Sequence, residues 1–127
     1  MTSMPPVPHR MANTADLAAQ AAGRNGALWK LEPGQRDLDA NVIALAPGAE
    51  IGEHAGPELD VLLHVVAGSG TLHGEGTTVQ LAVGDVVYLP ARARRRFVAG
   101  EQGLCYFSVH QRKKTVGLMP ARRPSES

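Results

Sequence analysis

The chain has 127 residues, 43% of them hydrophobic and 20% charged, which suits one globular domain and excludes a disordered or fibrous protein. Its formal charge of +1 conceals an uneven distribution: residues 1–91 carry four Arg or Lys against ten Asp or Glu, while residues 92–127 carry nine against two. A single cysteine, Cys105, excludes an internal disulfide and fits a reducing compartment, and no run reaches the ~18 apolar residues of a membrane span.

Residues 1–12, rich in Pro and Met, read as disordered and contain no apolar core of a signal peptide, so a cytoplasmic, membrane-free protein is expected. "NTADLAAQAAG" (13–23) predicts a short helix. Asn13 or Thr14 can cap it, Asp16 suits the positive end of its dipole, and Gly23 can close it. "ALWKL" predicts a first strand, and "EPGQR" a turn. "LDANVIALAPG" alternates Val42, Ala44 and Ala46 with Ile43 and Leu45, so both faces are apolar and the strand is expected between two layers. Further strands are expected in "VLLHVVAG", "GTLHGEG", "TTVQLAVG", "DVVYLPA", "RRFVAG" and "GLCYFSVH", each bounded by Gly or Pro. Short strands at this spacing imply an all-β sandwich or barrel with hairpin connections. With five aromatic residues, the core must draw mainly on Val, Leu, Ile and Ala.

Two stretches carry a family's spacing. In "GAEIGEHAGPELDVLLHVVAGSG", Gly48 precedes His54 by six residues and Gly68 closes the stretch; in "GDVVYLPARARRRF", Gly84 precedes Pro90 by six. With the "GSGTL" and "GDVVYLP" turns, residues 40–110 resemble the two cupin motifs, Gly-x5-His-x-His-x3,4-Glu-x6-Gly and Gly-x5-Pro-x-Gly-x2-His. The resemblance implies a jelly-roll β-barrel, expected over residues 27–111; composition adds an N-terminal segment, 1–26, that is partly disordered with a short helix, and a basic disordered tail, 112–127. It also implies a homodimer.

In the family two histidines and a glutamate from the first motif, and a histidine from the second, commonly bind a divalent metal. Position by position these are His54, Gly56, Val61 and Arg95, so one ligand of four remains. Asp60 is the alternative for the glutamate, but successive strand side chains face opposite ways, and Asp60 points out if Val61 points in. No metal and no other cofactor is therefore expected.

Arg95 offers a fixed positive fork instead, matched to carboxylate or phosphate. Alternation pairs it with Phe97 and opposes it to Arg94 and Arg96, so a buried Phe97 would carry Arg95 inward; otherwise "RARRRF" is a solvated run. In the last strand Cys105, Phe107 and Val109 share one face and Tyr106, Ser108 and His110 the other, which lines the cavity or faces solvent. His64 is expected outside, and Cys105 as a small buried hydrophobe. The candidate ligand-binding residues are His54, Arg95, Phe97, Tyr106 and His110.

The first functional reading is a binding or sensing module for a small anionic molecule. An enzyme is the alternative, either a metal-dependent oxygenase or isomerase with a His54/His110 site or a metal-free isomerase. Nucleic-acid binding ranks last, because no helix-turn-helix appears and no aromatic residues interleave the basic ones.

Overall fold

The structure is a computed structural model describing residues 6–112. The first five residues and, apart from Arg112, the basic tail expected over 112–127 lie outside it. One helix, α1 (Thr14–Ala19), precedes seven strands: β1 (Gly26–Lys30), β2 (Leu38–Leu45), β3 (Glu50–Ala55), β4 (Val61–Gly74), β5 (Thr77–Ala82), β6 (Val86–Leu89) and β7 (Arg94–Gln111). Asn13 caps α1, its side chain accepting from the Asp16 amide at 3.1 Å. At six residues α1 is too short to persist alone and depends on its contacts with β2 and β4.

All pairings are antiparallel, and β4 and β7 each serve two sheets. Their outer halves build the order β1-β2-β7-β4-β6; their inner halves, around the long β4–β7 connection, build β5-β4-β7-β3. Both strands change sheet at glycines. Gly68 has φ +76°, and a Cβ there would stand 2.1 Å from the Gly103 carbonyl oxygen, so the two backbones touch at the corner. The β4–β7 register shifts on both sides of Gly68.

These corners correct the expected strand count. "VLLHVVAG" and "GTLHGEG" form the single strand β4, and "RRFVAG" and "GLCYFSVH" form β7, because their glycines bend a strand rather than end it. β3 is not among the strands expected from the sequence. Its residues, "EIGEHA", have Ile51 as their one bulky apolar side chain and are otherwise largely exposed.

The inner faces meet in one cluster with Leu63, Val65, Leu72 and Leu104 at its centre. Phe97 and Tyr106 belong to it too, so the core uses aromatic residues beside the expected aliphatic ones. The two-sided burial expected of β2 is present: Leu45 joins the inner cluster, while Val42 and Ala44, both 1% exposed, are buried on the other face. Cys105 is a free thiol on that second face, and burial pushes its pKa up, as expected for a structural cysteine. On β4, Val61, Leu63 and Val65 are buried while Leu62 and His64 are exposed, the alternation read from sequence.

Leu63, 1% exposed, is among the largest fully buried side chains. Leu63→Ala is expected to lower the unfolding free energy by about 2–5 kcal/mol, measured by urea denaturation.

Candidate functional site

The N-terminal end of β7 carries three consecutive arginines, and strand alternation sends them to different places. Phe97 (3% exposed) and Ala99 (4%) sit in the core, and Arg95 follows them inward at 6% exposed. Arg94 and Arg96 stay outside, where they pair with Glu53 and Glu50 of β3 at 3.2 and 2.9 Å. The inward placement of Arg95 is the one that a buried Phe97 demands.

The guanidinium is held by what surrounds it. His54 of β3 is the register partner of Arg95, and the chain leaves β3 at Gly56, whose amide donates to the Ala93 carbonyl at 3.0 Å. A Cβ on Gly56 would lie 2.0 Å from Arg95 Nη2 and 2.5 Å from Cζ. The guanidinium therefore fills the space that any side chain at position 56 would enter. In the sequence Gly56 reads only as a missing ligand; the signal for its role is the arginine at a second ligand position of the same set.

Arg95 Nε donates to the Ala93 carbonyl at 3.3 Å, while Nη2 is buried and has no hydrogen-bond partner among the described residues. Burial lowers the guanidinium pKa, offset in part by the Tyr106 phenol, but an arginine so placed keeps its charge at ordinary pH. Tyr106 projects from the other half of β7, and its ring stacks on Phe97 with centroids 5.1 Å apart and planes 8° from parallel. Burial raises the Tyr106 pKa to about 12, so its hydroxyl keeps its proton. Ser108, on the same face, is 9% exposed and donates to Asn41 Oδ1 at 2.6 Å. The polar face of the last strand thus turns inward.

Arg95, Phe97 and Tyr106 are brought together; the two histidines are not part of that group. His54 is exposed, with Nδ1 2.9 Å from the Gly52 carbonyl oxygen. His110 is half-buried, opposite Val61, with Nδ1 2.8 Å from the Gln111 carbonyl oxygen.

The residues at the four metal-ligand positions do not fit a divalent cation. Gly56 has no side chain, Val61 is a buried hydrocarbon, and Arg95 brings a positive charge. Asp60 does not substitute: its Oδ1 accepts from the Ala91 amide at 2.9 Å, and its hydrogen bond with Tyr88 raises the phenol's pKa. Among the described residues no three His, Cys, Asp or Glu side chains gather as a metal-binding group.

The same hydrogen bonds tie the loop after β3 to the loop before β7. Arg92 donates its amide to the Pro57 carbonyl at 2.7 Å, and Asp60 holds Ala91. Arg92 has φ +64°, a left-handed conformation at the position where the second motif expects glycine.

A buried cation without a partner costs stability. Arg95→Met, which keeps the length and removes the charge, is expected to raise the unfolding free energy by about 1–3 kcal/mol in buffer free of small anions. Gly56→Ala, which drives a methyl group into the guanidinium, is expected to lower it by a similar amount, about 1–3 kcal/mol. Chemical denaturation of the three proteins side by side measures both.

Residues 41–110 match the family model described as the Cupin domain. Solved structures agree on the fold. The BH2720 protein of Bacillus halodurans superposes with TM-score 0.68 at 19% identity over 91% of this chain and 89% of its own. The conserved SPY1581 protein of unknown function from Streptococcus pyogenes gives 0.67 at 20% identity over 91% and 98%. A Cupin 2 conserved barrel domain protein from Salinispora arenicola CNS-205 gives 0.61 at 24% identity over 82% and 87%. Comparison with curated proteins gives no match.

Proposed function

This chain belongs to the Cupin domain family, and from that premise we propose that it is a binding or sensing protein whose barrel takes a small anionic molecule at Arg95 instead of a metal. The observation that carries the reading is the buried Nη2 of Arg95, which has no hydrogen-bond partner among the described residues. A desolvated guanidinium without a counter-charge is unfavourable alone and favourable once an anion reaches it. Phe97 and Tyr106, stacked on each other, belong to the interior into which Arg95 turns. His54 and His110 stand as further polar residues of the same reading.

The outward arginines do not support nucleic-acid binding, since Arg94 and Arg96 are engaged with Glu53 and Glu50. Among the described residues no helix is long and apolar enough to cross a membrane. A cytoplasmic site of action is part of the proposal, supported by the unpaired Cys105.

A second copy of the chain is the proposed protein partner. On the outside of β4 and β6, Leu62 lies opposite Tyr88 and His64 opposite Val86, with Leu62, Tyr88 and Val86 exposed to 45%, 58% and 62%. The outside of β3 and the adjoining half of β7 carries ion pairs instead. Such an apolar strip suits an isologous contact between copies. Sedimentation is expected to find a dimer that the double variant Leu62→Glu/Val86→Glu converts to monomer; an unaltered wild-type monomer would refute the partner.

Thermal unfolding with millimolar acetate, isobutyrate, benzoate and inorganic phosphate tests the anion reading. At least one is expected to raise the wild-type Tm, since a ligand at 100 times its Kd stabilises by about 2.7 kcal/mol. Arg95→Met is expected to show no such rise. A wild-type Tm unmoved by every anion would sink the reading.

A further inference from the structure

We infer that the Arg95 site is selective for a singly charged carboxylate carrying an apolar group, over phosphates and other dianions. The inference rests on the anion reading and adds the ligand's charge and chemical class.

Charge is the first ground. Among the described residues, Arg95 and Ser108 are the buried polar or charged ones, and Ser108 already spends its hydroxyl on Asn41. The Tyr106 phenol, which faces the same interior, stays protonated and neutral. The interior therefore offers a single positive charge. A monoanion neutralises it, whereas a dianion leaves one negative charge unbalanced in an interior whose other buried residues are apolar apart from Ser108.

Donors are the second ground. Nε is directed at the Ala93 carbonyl, leaving Nη2 as the buried N–H group without an acceptor. The Tyr106 hydroxyl keeps its proton and is a second donor in the same interior. The planar fork of the guanidinium and the phenol hydroxyl match the two oxygens of a carboxylate. The third ground is the chemistry of the surroundings. The Phe97–Tyr106 stack belongs to an otherwise aliphatic core cluster, so the interior into which Arg95 turns is hydrocarbon and offers no partner to a polyhydroxylated body.

The test is calorimetric titration of the full chain at pH 8 with a matched series: benzoate, benzamide, phenylphosphonate and its monomethyl ester. The first and last are monoanions, the amide is neutral and phenylphosphonate is a dianion; isobutyrate and isobutyramide repeat the comparison with a smaller body. Benzoate or isobutyrate is expected to bind at least tenfold more tightly than its amide and than phenylphosphonate, with the monomethyl ester recovering part of the loss. Tyr106→Phe is expected to weaken the carboxylate about tenfold while leaving the fold intact by circular dichroism, and Arg95→Met to abolish it. Phenylphosphonate binding as tightly as benzoate overturns the single-charge inference and leaves the anion reading standing. An amide equal to its acid, or no binding by any anion, overturns both. Unchanged carboxylate affinity in Tyr106→Phe removes the hydroxyl from the site.

Discussion

The centre of this barrel depends on two residues sharing one space. The guanidinium of Arg95 lies where a side chain on Gly56 would be, so no side chain fits at 56 while the arginine keeps its place. In the family pattern both positions carry histidines that reach a metal from opposite strands. Here one has lost its side chain and the other has gained a longer one, and the longer one crosses into the space left by the first. The two departures form one exchange, and its chemical result is to replace electron-pair donors with N–H donors. A site that would hold a cation now carries a positive charge of its own.

That exchange is stable only because the backbone around it is tied down. The loops flanking Arg95 are joined through Gly56 to Ala93, Arg92 to Pro57 and Ala91 to Asp60. Asp60, which a looser spacing of the motif would enlist as a metal ligand, instead anchors this seam from outside. Its neighbour Val61 takes the inward place and adds hydrocarbon to the wall. The charge on Arg95 is consequently desolvated on every side that the protein supplies, and an unpaired N–H remains.

Much of this was legible in the sequence, for one reason: strand period. Once Phe97 is inside, Arg95 must be, and once Val61 is inside, Asp60 and His64 must not. The cap at Asn13, the two apolar faces of β2 and the buried Cys105 follow from equally local rules. What was not legible was how glycine is used. Gly68 and Gly103 look like turn residues and instead bend continuous strands at a sheet corner, which merged four expected strands into two. Gly56 looks like a deletion and is a socket. Glycine's lack of a side chain permits a turn, a close backbone approach or a cavity alike, and only the neighbours in space decide which. The inward turn of Tyr106 was likewise undecidable from "LCYFSVH", where both faces can be buried and the outer one is.

β3 explains why the arginine cluster resolves as it does. Its poverty in apolar residues hid it as a strand, yet that polarity is what sorts the arginines. Glu50 and Glu53 stand outside to receive Arg96 and Arg94, while Gly56, just beyond its end, receives Arg95 on the inside. Shifting β7 by one residue against β3 would expose Phe97, bury Arg94 and Arg96, and separate both ion pairs from their carboxylates. Exposed ion pairs of this kind contribute little energy singly. Their value here is in the alternative they disfavour, because each glutamate makes the outward place of its arginine the better one and so fixes which of three identical side chains is left within the barrel. The acidic first part of the chain and the basic second part thus meet at this strand pair, and the one arginine without an acid opposite it is the one that the interior holds.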